Sequence, residues 1–151
     1  MGIIELLEKD HGRIRSLFSD IEGSDDPQEV QDYFDKLDNI LTIHAEAEER
    51  VLYPESRNCE GTTELIDKGQ QEHDKGEQMV LAIKSISPNE SEFKQKVGEL
   101  QEFMLNHLDE EENDLFPRVR QCIGDEKLEQ LGTQLQETKA SVAEKVVDAD
   151  W

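Results

Sequence analysis

The sequence predicts an all-α fold, an up-down-up-down four-helix bundle with an additional C-terminal helix, on three observations. Aromatics make up 5% of 151 residues, and Glu, Leu, Lys and Gln fill long runs that favour helix. Turn signals cluster at 23–27, 58–61, 87–91 and 124–125, where Gly, Pro, Asn, Asp and Ser gather. Between them apolar residues recur at spacings of three and four, and no strand-like alternation competes.

These turns bound five helical stretches near 2–22, 28–57, 62–86, 90–121 and 126–148. In the first, Ile4, Leu7, Ile14, Phe18 and Ile21 form one stripe, and His11 completes it. The second carries Val30, Phe34, Leu37 and Leu41, then His44, Glu48 and Val51 at the same spacing. In the third, Ile66, His73, Val80 and Ile83 share a stripe with Gly69 and Gly76. The fourth carries Phe93, Val97, Leu100 and Met104, then His107 and Glu111. Such stripes face a bundle core, so the four histidines point inward. The fifth stretch, with Leu128, Leu131, Leu135, Val142 and Val146, is expected to pack across the outside or one end of the bundle. Thr62 with Glu64, and Ser91 with Glu90 and Glu92, resemble helix starts. Short connections make consecutive helices antiparallel neighbours. Residues 1–151 are expected to form a single domain, with the bundle over 2–121 and the extra helix over about 126–148.

A formal charge of −21 argues against nucleic acid and anionic membranes as partners. The N-terminus has acid within its apolar stretch and no cleavage site, unlike a signal peptide. No apolar run approaches the roughly 18 residues a spanning helix needs. Cytoplasm is the expected compartment. There Cys59 and Cys122 are expected to be small buried hydrophobes rather than a disulfide.

The histidines and two glutamates recur at one offset. His11 lies 62 residues before His73, His44 lies 63 before His107, and Glu48 lies 63 before Glu111. Pro54 and Pro117 repeat at the same offset of 63. A His and a Glu four apart sit one above the other on a helix face and can reach a common point. Two such pairs, His44 with Glu48 and His107 with Glu111, join one further imidazole from each remaining helix. An unpaired buried carboxylate is costly, which favours a metal over ordinary core packing. Imidazole and carboxylate without thiolate suit iron, manganese or zinc. Six ligands exceed one closed zinc site, which takes about four, so two carboxylate-bridged metals fit better. Around them, Asp10, Glu49 and Glu112 are expected to support the ligands or face solvent. Tyr53 and Phe116 are expected to pack the core. Pro54 and Pro117 should bend or end their helices. Gly69 and Gly76 should let a neighbouring group approach.

The order His11, His44-x-x-x-Glu48, His73, His107-x-x-x-Glu111, with Tyr53-Pro54 and Phe116-Pro117 following, resembles the hemerythrin-like cation-binding family over roughly residues 4–120. The resemblance implies two iron ions, oxo- or hydroxo-bridged, with terminal His11, His44, His73 and His107 and bridging Glu48 and Glu111. It further implies a small diatomic or peroxide ligand. Oxygen carriers of the family have a fifth histidine four residues after the third; here that position is Glu77, a possible further ligand. With about six places per iron, roughly two then stay open rather than one, which favours reaction with dioxygen or peroxide (peroxide decomposition or ferrous iron oxidation) over reversible carriage. Reversible oxygen or nitric oxide binding, or iron storage or sensing, is the alternative.

Overall fold

The computed structural model describes the backbone of residues 1–149 and the side chains of residues 1–146; the last two residues of the expected domain lie outside the described residues. Four long helices form the bundle: α1 (Ile3–Gly23), α2 (Pro27–Ala47), α4 (Thr63–Lys84) and α5 (Ser91–Glu110). Short segments extend the second and fourth of these: π1 (Glu48–Leu52) with α3 (Tyr53–Ser56), and π2 (Glu111–Leu115) with α6 (Phe116–Cys122). The last helix, α7 (Asp125–Ala149), packs against α1, α2 and π1, on the outside of one half of the bundle. The up-down-up-down arrangement and the extra helix are therefore as expected.

Local chemistry explains the starts of the helices unevenly. Asp26 accepts a hydrogen bond from the Gln28 amide while Pro27 opens α2, where its missing N–H costs nothing. Thr62 is not the cap expected of it. Its hydroxyl donates backwards to the Ser56 and Cys59 carbonyls and closes the turn before α4. Glu90 likewise makes no side-chain cap on α5.

The two prolines do more than bend their helices. A proline ring clashes with the carbonyl four residues back and offers no N–H to it. Here each helix widens by one residue just before its proline, so that the Tyr53 amide bonds the Glu48 carbonyl and the Phe116 amide bonds that of Glu111. Single wide turns of this kind absorb the misfit without ending the helix.

The apolar stripes bury as their spacing requires, but the core is in two parts. Ile4, Leu7, Val51, Leu52, Ile66, Phe116 and Leu131 fill one end. Ile14, Phe18, Phe34, Val80, Phe93 and Leu100 fill the other. Between them lies a layer of buried polar residues, His11, His44, Glu48, His73, His107 and Glu111.

The cysteines correct the sequence-based expectation. Cys59 and Cys122 form a disulfide, with Cα atoms 5.7 Å apart. It joins the loop after α3 to the last residue of α6, at the end of the bundle where both chains emerge. Among the described residues no helix is long and apolar enough to cross a membrane.

Candidate metal centre

Each glutamate presents one oxygen to each half of the polar layer. Glu111 Oε1 lies 3.2 Å from His11 Nε2, and its Oε2 lies 3.8 Å from His107 Nε2. Glu48 mirrors this, with Oε2 3.5 Å from His44 Nε2 and Oε1 3.2 Å from His73 Nε2. Two ligand groups result, His11–His44–Glu48–Glu111 and Glu48–His73–His107–Glu111, each with ligand atoms within 4.8 Å of one another. They are called position A and position B below. Every one of these six side chains is buried.

The donor atoms fit a pair of metal ions. All four Nε2 atoms, together with Glu48 Oε2 and Glu111 Oε1, are buried without a hydrogen-bond partner. Orphaned buried polar atoms are rare in folded proteins because each forfeits its hydration. Here they converge in two sets, which is the arrangement a metal would satisfy. Glu77 joins neither group; its side chain is exposed at the edge of a cavity that leads to the layer.

The outward Nδ1 atoms are held by carboxylates, which fixes each ring so that Nε2 faces inward. His11 Nδ1 is 2.7 Å from Glu112, His44 Nδ1 is 3.0 Å from Asp10, and His107 Nδ1 is 2.8 Å from Glu72. His73 Nδ1 stands 3.6 Å from Glu49, a longer contact. Two of the four carboxylates meet cations. Arg15 is 3.0 Å from Glu112, and Lys139 of α7 is 2.7 Å from Asp10. Asp10, Glu49 and Glu112 thus all turn towards the histidines; Glu72, Arg15 and Lys139 carry no stripe or motif that would single them out.

Without metal the layer holds protons. Burial works against a charge on His73, but Glu48 and Glu49 outweigh it and push its pKa up to about 10. Burial followed by the negative charge of Glu48 raises Glu111, whereas His44 and His73 overcome the burial of Glu48 and hold it well below the usual range. Tyr53 connects the two carboxylates, its hydroxyl 2.8 Å from Glu48 Oε1 and 3.0 Å from Glu111 Oε2. A phenol has one proton to donate. The second contact is satisfied when Glu111 carries a proton, as its raised pKa allows. Burial and the two carboxylates push the Tyr53 hydroxyl well above its ordinary pKa, so it stays protonated.

The wide turn is what aims Tyr53. An ideal α-helix would put residue 53 about 140° round from residue 48. The bond from the Tyr53 amide to the Glu48 carbonyl instead brings it over Glu48. Its ring stacks on His73, with centroids 5.8 Å apart, and Phe116 stacks on His11 at 5.7 Å. Space for Tyr53 comes from Gly69, where an added Cβ would stand 2.6 Å from the Tyr53 hydroxyl oxygen. Gly76 leaves similar room for the Met104 sulfur, at 2.9 Å. Gly69→Ala is therefore expected to displace the Tyr53 hydroxyl and destabilise the chain by about 1–3 kcal/mol, as overpacking does. A denaturant titration checks the size, and loss of the tyrosine hydrogen-bond shift in the ultraviolet Raman spectrum checks the cause.

A cavity of about 280 Å³ between α2 and α4 reaches His44, His73 and His107. Leu41, Val80 and Met104 line its apolar wall, and Asp74 and Glu77 stand exposed at its edge.

Residues 2–119 match the hemerythrin HHE cation-binding domain. A protein of Nostoc sp. named a DNA nickase is 36% identical over 149 residues, which is 97% of this chain and 41% of that protein. This chain thus spans about two fifths of the Nostoc protein's length. An uncharacterised hemerythrin-like protein of Schizosaccharomyces pombe is 26% identical, over 93% of this chain and 70% of its own. The crystal structure of a hemerythrin HHE cation-binding domain-containing protein from Mycobacterium kansasii superposes with a TM-score of 0.87, at 23% identity, covering 97% of this chain and 90% of the other. That likeness is one of fold. The matched residues take in all six side chains of the polar layer, and the chain belongs to the hemerythrin HHE cation-binding family.

Proposed function

We propose that this chain is a non-haem di-iron protein, a single domain, that reacts with dioxygen or peroxide, decomposing peroxide or oxidising ferrous iron. The observation that carries this reading is the sharing of Glu48 and Glu111 between two histidine pairs, beside a cavity open to small molecules. His11, His44, His73 and His107 would be terminal ligands, and Glu48 and Glu111 the bridges. A pair of irons in such a setting supplies electrons and Lewis acidity to an oxygen ligand.

The chain's own residues supply the rest. Asp10, Glu72 and Glu112 keep the imidazoles in one tautomer, with Nδ1–H outward and Nε2 free. Tyr53 holds a proton at the carboxylate oxygens on the side of His73 and His107. The apolar cavity wall favours a neutral ligand such as hydrogen peroxide, and the carboxylates at its edge repel anions. Glu77, exposed, is left as a helix-surface residue rather than a ligand.

Iron-loaded protein is expected to consume hydrogen peroxide with release of oxygen and to form no lasting oxygen adduct. Tyr53→Phe is expected to keep its iron and to lose at least tenfold in rate, at the low end of what a positioned proton donor is worth, roughly 10²–10⁴-fold. A stable, reversible oxygen adduct without peroxide consumption would instead establish the binding module, the alternative reading.

The charge of −21 supports a small-molecule ligand over nucleic acid. Supercoiled plasmid incubated with the metal-loaded chain is expected to stay intact. Nicking would bring to this chain the activity that the name of the Nostoc relative states. The cytoplasm is our proposed compartment, and the Cys59–Cys122 pair is the observation that weighs against it.

A further inference from the structure

We propose that the two positions are unequal: position B, between His73 and His107, binds metal first and takes the external ligand, while position A, between His11 and His44, binds second and stays closed. The proposal rests on the di-metal reading above, and three independent breaks in the internal repeat support it.

The first break is in charge. Asp10 and Glu72 occupy equivalent places, 62 residues apart, each just before a histidine and each holding the next histidine of its half. Glu49 and Glu112 are equivalent in the same way, 63 apart. Beyond them the equivalence fails. Arg15, which lies against Glu112, has Glu77 as its counterpart 62 residues on. Lys139, which lies against Asp10, comes from α7, and α7 packs on only one half of the bundle. Position A therefore has a cation behind each of its histidine carboxylates. Among the described residues no Lys or Arg ion-pairs with Glu49 or Glu72 behind position B. The more negative field belongs to position B, and a metal cation is held more tightly there. At an effective dielectric of about 20, a unit charge several ångströms away alters cation binding by on the order of tenfold.

The second break is in the aromatic pair. Phe116 covers His11 with a plain ring, whereas Tyr53 covers His73 and adds a hydroxyl. That hydroxyl contacts Glu48 Oε1 and Glu111 Oε2, the two oxygens that face position B. The one protonated group of the layer able to serve an incoming ligand thus stands on that side.

The third is access. The cavity between α2 and α4 touches both histidines of position B, only His44 of position A, and not His11. Its edge includes Glu77, so the place where a carrier's fifth histidine would stand opens instead to solvent.

Anaerobic titration with cobalt(II), followed by its visible absorption against a competing chelator, tests the first claim. Two cobalt ions are expected, with stepwise constants at least about tenfold apart beyond the statistical factor of about four. The double swap Arg15→Glu with Glu77→Arg leaves net charge unchanged and touches no ligand; it is expected to narrow the gap at least threefold, as is Lys139→Met alone. Azide tests the second claim. His11→Ala is expected to retain one cobalt whose spectrum responds to azide, and His107→Ala one cobalt whose spectrum does not. Fewer than two ions in the wild type would overturn the di-metal reading, and the assignment with it. Two equal ions, a gap untouched by both charge variants, or azide binding only after loss of His107 would overturn the inequality while leaving the di-metal reading intact.

Discussion

Glu48→Ala and Glu111→Ala are each expected to leave fewer than one metal per chain and to lower the melting temperature of the loaded protein by about 10–20 °C. Each glutamate offers one oxygen to position A and the other to position B, so its loss opens both positions together. Metal bound to the native state alone, at a free concentration about a hundred times its dissociation constant, stabilises by about 2.7 kcal/mol per site. Two sites give about twice that, and a chain of this size loses roughly 2–4 °C per kcal/mol. Glu48→Gln and Glu111→Gln keep the volume and separate charge from cavity; they are expected to lose metal nearly as completely. Inductively coupled plasma analysis beside calorimetry reads both quantities on one sample. Full metal content in both alanine variants would mean that the carboxylates do not bridge.

The neighbouring carboxylates should behave differently, and the structure says why. Glu112→Ala removes the group 2.7 Å from His11 Nδ1, so metal affinity is expected to fall about 10–100-fold while two sites remain. Glu77→Ala, at an exposed position outside both ligand groups, is expected to keep both metals. Metal loading should also release protons, because the proton that His73 holds up to about pH 10 must leave before its Nε2 can bind a cation. Affinity therefore rises with pH across the neutral range.

How much of this was legible in the sequence follows from what repeats and what does not. The stripes ending in His44–Glu48 and His107–Glu111 fix which faces meet, because helical period and burial agree at every position of both. The support of the histidines was legible only in part. Asp10 stands out beside His11, and the repeat would have given Glu72 by the same offset of 62, had it been followed past the ligands. Tyr53 could not be placed by α-helical period at all. Its position depends on one wide turn, and only Pro54, which makes that turn necessary, leaves a mark in the sequence. Lys139 is beyond any such reading. It reaches Asp10 across 129 residues, through the docking of α7, which follows no repeat.

Breaking the Cys59–Cys122 bridge, by Cys59→Ser with Cys122→Ser or by reduction, is expected to cost up to about 4 kcal/mol. That is the loop-closure value for a closed loop of some sixty residues, the separation here being 63. In a chain of this length it corresponds to roughly 8–16 °C in melting temperature. Thiol base rates for a cytoplasmic chain pointed away from this bridge, but its geometry follows from the same repeat as the metal layer. Equivalent residues of two matched halves touch only close to the axis relating them. Glu48 and Glu111 meet there in the middle of the bundle, and Cys59 and Cys122, also 63 apart, meet there at its end. The bridge thus ties together the two segments that carry Tyr53 and Phe116, one turn beyond the prolines. Because the ligands themselves come from longer, well-packed helices, the reduced protein is expected to bind two metals still, with the stability loss appearing in both loaded and metal-free forms. Thermal melts with and without a phosphine reductant, each in metal and in chelator, resolve the two contributions. An unchanged melting temperature on complete reduction would mean that the two cysteines contribute packing alone; loss of both metals would mean that the bridge holds the two halves of the centre in register.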